Sequence, residues 1–260
     1  MNATKACSID ETGTRRFAKV RKVAAYLDWL PFHPQWNMRR QRKYIINLMH
    51  PYLKGNVLDV GCGNQEIKQL VLKNKSKYIS LDYPVTMAKG YSGHPDVFAD
   101  AQCLPFKNKC ADVVLLLDVL EHIPCPHKAF SEAARVLKDD GIVIVKTPFM
   151  YPLHDVPHDF QRWTKYGLRN LARSHDLSII ALTSLGGAFR TAATVANLAL
   201  AERALESIRM HHFSCFFFPI VLFLIFGVNL LGFLCEIVYP RSDFMALGYL
   251  AIFRKNSYSC

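Results

Sequence analysis

Val57-Leu58-Asp59-Val60-Gly61-Cys62-Gly63 is the stretch whose reading decides the fold. An apolar run carrying one acid breaks into a glycine turn. This predicts a buried strand, a tight loop and a helix resuming from Asn64. Glycine opens backbone angles closed to other residues and lets a ligand approach the main chain closely. The free N–H groups and positive dipole end of the following helix favour a nucleotide-like ligand at such a turn.

The acids around the turn narrow the choice. A dinucleotide fingerprint, G-x-G-x-x-G, needs a third glycine, and Glu66 stands in its place. A carboxylate facing a pyrophosphate disfavours a dinucleotide, whereas Asp59 suits a ligand with a positive amino group. Asp82 closes a second apolar run, Tyr78-Ile79-Ser80-Leu81, at the spacing of about 20 residues where an acid commonly takes ribose hydroxyls. Asp100 ends Val97-Phe98-Ala99. A fourth run, Asp112 to Asp118, leads into Val119-Leu120-Glu121-His122-Ile123-Pro124.

In order, Leu58 to Gly63, Leu81-Asp82, Ala99-Asp100-Ala101, Leu117 to Ile123, Glu132 to Lys138 and Gly141 to Val145 resemble the motifs of the class I S-adenosylmethionine-dependent methyltransferases, type 11 group, over residues 55–150. The resemblance implies a Rossmann-like, doubly wound α/β fold with a mostly parallel seven-stranded sheet, and S-adenosyl-L-methionine as cofactor. It implies that Asp59, Gly61, Cys62 and Gly63 cradle the methionine part. Asp82, with Tyr83, would take the ribose, Asp100 and Ala101 would meet the adenine amino group, and Asp118 and Val119 would flank cofactor and substrate. Two positions depart from the family pattern: Gln65 stands where another glycine is common, and Asp139-Asp140-Gly141 where a Pro-Gly-Gly turn is common. Asp140-Gly141 still makes an acceptable turn. Without the ordered series, the same residues read as an ordinary α/β domain with scattered acids.

A chain of 260 residues accommodates one sizeable domain plus additions. The net charge of +11 admits nucleic acid, an anionic membrane face or an acidic substrate as partner. Much of it precedes the core, at Arg15, Arg16, Lys19, Arg21, Lys22, Arg39, Arg40, Arg42 and Lys43, where a solvated helix surface is the simpler reading. No dedicated RNA-binding module is visible, so no nucleic-acid partner is expected. The eight cysteines form no C-x-x-C pair and no ligand-like group with histidine. They read as reduced thiols of a cytosolic domain rather than a disulfide scaffold. Neither a signal peptide nor a prenylation box is read at the ends.

Residues 1–54 are expected to form a helical lid, with helices over 15–30 and 36–50 and Trp36 facing the substrate; simple packing on the sheet is the alternative. The core is expected over 55–184. Its fifth strand ends in the loop 146–164, which holds two histidines, two acids, an arginine and three prolines. Ligands sit beyond the carboxyl ends of strands in open α/β sheets, so this loop is placed to meet the acceptor. His154 and His158 are candidate bases or orienting groups, Arg162 a candidate anion clamp, and Tyr151 and His122 candidate substrate contacts. The competing reading is that the His-Asp pairs and Arg162 staple the loop. A metal shared by His154 and His158 is not expected, because Pro152 and Pro157 oppose the helix that would align them. Thr164 is read as the N-cap of a helix over Lys165 to Arg173.

Residues 185–244 form an apolar insertion between the last two strands. Phe213 to Cys235 contains no charged residue and is long enough to cross a bilayer. Leu177 to Leu182 and Leu247 to Lys255 resemble the family's last two strands, the second within a closing segment, 245–260. If both belong to one sheet, the insertion must leave and return on one side, as a re-entrant, interfacial or paired-hairpin element. Pro219, Gly227, Asn229 and Gly232 are candidate bends. Packing on the protein, a dimer face or a transmembrane tail are the competing readings. The expectation is a membrane-associated methyltransferase facing the cytoplasm and acting on a lipid, isoprenoid or lipid-linked acceptor. A soluble small-molecule methyltransferase or a non-catalytic membrane adaptor are the alternatives.

Overall fold

The computed structural model describes residues 30–84, 93–240 and 242–257. The helix expected over 15–30 lies almost wholly outside them.

Seven strands form one sheet: β1 (Asn56–Val60), β2 (Lys77–Asp82), β3 (Val97–Phe98), β4 (Ala111–Leu117), β5 (Leu137–Pro148), β6 (Leu177–Leu185) and β7 (Gly248–Lys255). Their order is β3-β2-β1-β4-β5-β7-β6. All neighbours run parallel except β7, which is antiparallel to both β5 and β6. The chain winds outward from β1 through β2 to β3, then returns to the far side of β1 with β4. That reversal opens a crevice at the carboxyl ends of β1 and β4, where ligands bind in open α/β sheets.

The central strands are apolar on both faces because both are covered, as parallel sheets require. Phe130, Leu137, Leu168, Leu171 and Phe253 fill one face, beneath α4 (Pro126–Val136) and α5 (Lys165–Arg173). Met49, Leu53, Val71, Ile144 and Ile252 fill the other, beneath α2 (Arg42–Met49) and α3 (Lys68–Lys73). Thr164 caps α5 as its sequence predicts, its Oγ1 accepting from Gly167 N at 3.0 Å.

Two helices differ from their sequence pattern. The helix after the glycine turn starts at Lys68 rather than Asn64, because Gln65 takes a left-handed φ of 55° that no helix continues. The helix expected over 36–50 is split into α1 (Trp36–Arg39) and α2 at Arg40 and Gln41.

The insertion is a helical hairpin of α6 (Ala188–Arg209) and α7 (Phe218–Val238), closed by a short 3₁₀ turn over Phe213–Phe217. It leaves after β6 and returns to β7, which lies between β5 and β6. α7 runs as one unbroken helix through all four candidate bends. Pro219 sits in the first turn, where its missing N–H is harmless. Gly232 admits close packing, since a Cβ there would lie 2.5 Å from Ala193 Cβ. Asn229 is fully buried, donating to Pro31 O at 2.7 Å and His33 O at 2.9 Å and accepting from Asn37 Nδ2 at 3.0 Å.

These contacts recast the expected lid. Phe32 and Trp36 pack on Phe223, Phe226 and Phe233 of α7, and Gln41 accepts from Gly186 N at 2.5 Å. The described part of the segment therefore clasps the hairpin base and one sheet face. Trp36 is buried against Phe233 with Arg40 over its ring, so it serves packing rather than a substrate.

Candidate active site

The glycine turn is tied to the end of β2. Gly61 N and Cys62 N both donate to Leu81 O, at 2.8 and 3.1 Å. Gly63 N donates to Asp82 Oδ2 at 2.7 Å, and Tyr83 N to Asp82 Oδ1 at 2.8 Å. Gly61 has φ 74°, and a Cβ there would lie 2.4 Å from Val119 Cγ2, so glycine is needed for both angle and space. Gln65 Nε2 donates to Ser80 Oγ at 2.9 Å and to His94 O at 2.7 Å, bracing the loop at the position where the family often has glycine. Glu66 turns outward to Arg42, 3.1 Å away with both side chains exposed. It does not face a ligand, which removes the reason first given against a dinucleotide.

The electrostatics of this end favour a cation. Asp59 is buried and accepts from Tyr78 Oη at 2.6 Å. Burial pushes its carboxyl up to about 6, with the Tyr78 hydrogen bond opposing and the Asp82 charge adding to the rise. The groups acting on Asp59 are thus a phenol and a second carboxylate, and a cationic ligand would supply the missing positive charge. Burial, reinforced by Asp59 and Asp82, pushes the Cys62 thiol up to about 12, which makes it a packing group rather than a nucleophile. This pair of buried carboxylates beside a glycine cradle fits a nucleoside that carries both ribose hydroxyls and a cationic amino acid. Farther along, Asp100 accepts from Gln102 N at 2.8 Å and Ala101 is half-buried beside it. Tyr83 is largely exposed.

The acceptor end is built where β4 and β5 stop. Asp118 takes a φ of 56°, pairs with Lys146 Nζ and donates its N–H to Lys146 O at 2.7 Å. Just beyond it, a 3₁₀ turn over Leu120–His122 turns Glu121 inward, fully buried. Burial, with the Asp118 charge, pushes its carboxyl up to about 8, against the pull of its own backbone N–H, Lys146 and Arg162. Thr147 Oγ1 donates to Glu121 Oε2 at 3.4 Å, while Oε1 has no hydrogen-bond partner. His122 Nε2 and His154 Nε2 each lie 3.9 Å from that oxygen. Tyr151 packs edge-on to His154 and its hydroxyl accepts from Gln35 Nε2 at 2.5 Å.

Two loop residues take other roles than their sequence suggests. Arg162 spends its fork on the loop itself. It donates to both Asp159 oxygens at 2.5 and 2.7 Å and to the carbonyls of Tyr151, Pro152 and Gln161, leaving no donor for a ligand's anion. The pair holds Asp159 down at about 2. His158 contributes its carbonyl, which accepts from His122 Nδ1 at 2.7 Å, while its ring packs on Phe160. Glu121, Lys146 and Gln35 are the residues that sequence reasoning left without a role. The available signal for Glu121 was an acid set against a histidine directly after an apolar strand.

Residues 58–145 match the family model of a methyltransferase domain. Over 136 residues the chain is 32% identical to the tRNA (carboxymethyluridine(34)-5-O)-methyltransferase of Arabidopsis thaliana, covering 50% of this chain and 28% of that protein. Over 156 residues it is 24% identical to the ubiquinone biosynthesis O-methyltransferase of Glaesserella parasuis, covering 54% and 65%. The chain spans 28–65% of the length of the first four curated relatives it matches. The crystal structure of a SAM-dependent methyltransferase from Archaeoglobus fulgidus superposes with a TM-score of 0.51 at 16% identity, over 85% of this chain and 94% of that one, a likeness of fold.

Proposed function

We propose, for a chain that belongs to the class I S-adenosylmethionine-dependent methyltransferases, that it methylates a lipid, isoprenoid or lipid-linked acceptor at a membrane surface, with its sheet on the cytoplasmic side. When bound, the cofactor supplies a methyl group already activated by a sulfonium. Asp82 would accept from the ribose hydroxyls, Asp59 would face the amino group, Gly61 and Gly63 would admit the methionine part, and Asp100 and Ala101 would meet the adenine. The protein's remaining task is alignment of the acceptor and exclusion of water. Val119, Tyr151, His122 and His154 line the end where an acceptor would stand.

The observation that carries the membrane reading is α7. Among the described residues, the stretch Phe213–Val238 alone is long and apolar enough to cross a membrane, and little of it is buried. Phe216, Phe223, Leu231, Ile237 and Val238 are exposed on it. At about 1.5 Å per residue its length approaches the hydrocarbon thickness of a bilayer. Because the hairpin starts and ends in one sheet, an interfacial posture suits it better than a crossing. Lying flat, α7 meets acyl chains while Arg203, Arg209, His211 and His212 at the tip stay among headgroups. The relative named for ubiquinone biosynthesis supports an isoprenoid-tailed acceptor.

The test combines two measurements. Membrane extract incubated with the protein and methyl-labelled cofactor should yield label in the organic phase. Leu231→Glu with Ile237→Glu should lower flotation with anionic vesicles by at least about tenfold, without loss of folded stability, since both positions are exposed. Label confined to water-soluble product would support the second reading, a soluble acceptor, which the tRNA-directed relative favours.

A further inference from the structure

We infer that Glu121, His122 and His154 form a binding site for a divalent transition-metal cation of the zinc, cobalt or manganese class at the acceptor end of the crevice.

The geometry is that of three electron-pair donors turned toward one another. One ligand atom from each residue lies within 4.8 Å of the others. His122 Nδ1 lies 2.7 Å from His158 O, and a carbonyl can only accept, so that nitrogen carries the proton and Nε2 presents its lone pair. His154 Nδ1 lies 3.3 Å from Asp159 Oδ2 and 3.3 Å from Pro152 O, two acceptors that demand the same tautomer. Both bare Nε2 atoms stand 3.9 Å from Glu121 Oε1. That oxygen belongs to a fully buried side chain and has no hydrogen-bond partner. Buried polar atoms are nearly always satisfied, so an unsatisfied one flanked by two imidazole lone pairs points to a ligand. A proton does not bridge 3.9 Å; a cation with bonds of about 2.0–2.2 Å to each donor does, after each Glu121–histidine distance closes by about 0.5 Å.

The surroundings are those of a metal centre. Histidine ligands usually donate their second nitrogen to a carboxylate or carbonyl, which fixes the ring. Here Asp159, itself clamped by Arg162, does so for His154, and the His158 carbonyl does so for His122. Asp155 Oδ2, 3.9 Å from His122 Nε2, stands near as a further oxygen. Two imidazoles and a carboxylate suit zinc, cobalt or manganese better than magnesium. Three protein donors leave a coordination position for water or for an oxygen of the acceptor. This last role rests on the methyltransferase reading; the site itself does not.

Cobalt is the probe. Untagged protein, stripped with chelator, is titrated with Co²⁺ and followed by its visible absorption, then by displacement with Zn²⁺. One Co²⁺ per chain is expected, with affinity reduced at least about tenfold in His154→Ala, Glu121→Gln and, through the histidine's orientation, Asp159→Asn. His127→Ala disrupts the other close histidine pair, in which His127 Nδ1 lies 3.4 Å from His175 Nε2, and should leave the signal intact. Absence of stoichiometric cobalt, a signal that survives His154→Ala, or one lost in His127→Ala overturns the site. Parallel titration with S-adenosylmethionine separates the two readings. Protein that takes cobalt but not the cofactor keeps the metal site and overturns the methyltransferase; protein that takes the cofactor but not cobalt does the reverse.

Discussion

Asp82 and Glu121 are buried carboxylates at strand ends on either side of β1, 2% and 0% exposed, and the fold uses them in opposite ways. Asp82 accepts two backbone N–H groups, from Gly63 and Tyr83, and so holds the glycine turn against β2. Glu121 accepts one long hydrogen bond from Thr147 and turns its other oxygen toward two imidazoles. Removing the first deletes the scaffold of a turn. Removing the second deletes a binding group and little else. A buried acid thus reveals its role by what its oxygens touch, not by its burial.

The largest effect should come from Asp82→Ala. It strands Gly63 N and Tyr83 N and removes the acceptor for ribose hydroxyls, so we expect a loss of about 2–4 kcal/mol in folding stability and at least about a hundredfold in cofactor affinity. Chemical denaturation and calorimetric titration measure the two. Retained affinity would break the comparison at its first member.

Next comes the pH dependence of Asp59. Its carboxyl is raised from 3.8 to about 6 in the fold. A carboxyl so raised favours the folded state in its protonated form. Its contribution is therefore complete below about pH 4, is lost as pH climbs through about 6, and amounts to roughly 3 kcal/mol. Thermal unfolding of cofactor-free protein should show this decline between pH 4 and 7, and Asp59→Asn should reduce it to the part carried by Glu121, whose carboxyl is raised to about 8. Asp82→Asn should shrink it, because Asp82 is one cause of the rise. A curve that rises with pH in wild type and is unchanged by Asp59→Asn would contradict the assignment.

The smallest effect should be that of Glu121→Gln on metal-free stability below about pH 4, where the carboxyl is protonated in both states, within about 1 kcal/mol; toward neutral pH the carboxyl raised to about 8 makes the same substitution stabilising. The substitution keeps the shape, and the hydrogen bond it disturbs is a long one. A loss as large as that of Asp82→Ala would make Glu121 a second structural acid and erase the contrast.

Much of the core was legible from local pattern. The strand at Val57, the acids at Asp82 and Asp100, the cap at Thr164 and the final two strands are all marked by periodicity or by residue types whose physics is short-range. The roles of Arg162 and Glu121 were not. Arg162 reads as a free anion clamp until Asp159, one helical turn away in sequence but in a loop, takes both arms of its fork. Glu121 acquires its surroundings only when residues 151–159 fold back over it. Likewise, nothing local pairs Asn37 with Asn229 across 192 positions, a contact that turns an expected lid into a clasp on the hairpin.

By itself the sequence determined the doubly wound sheet, the ordered series of methyltransferase-like motifs and the apolar character of the insertion, since apolar periodicity, glycine turns and an uncharged run act through neighbours along the chain. The tertiary structure alone decided that α7 is a paired hairpin arm with an exposed face, and that Glu121, His122 and His154 converge. Both depend on which strand ends lie side by side, and that is set by the order β1-β4-β5-β7 in the sheet rather than by any distance in sequence.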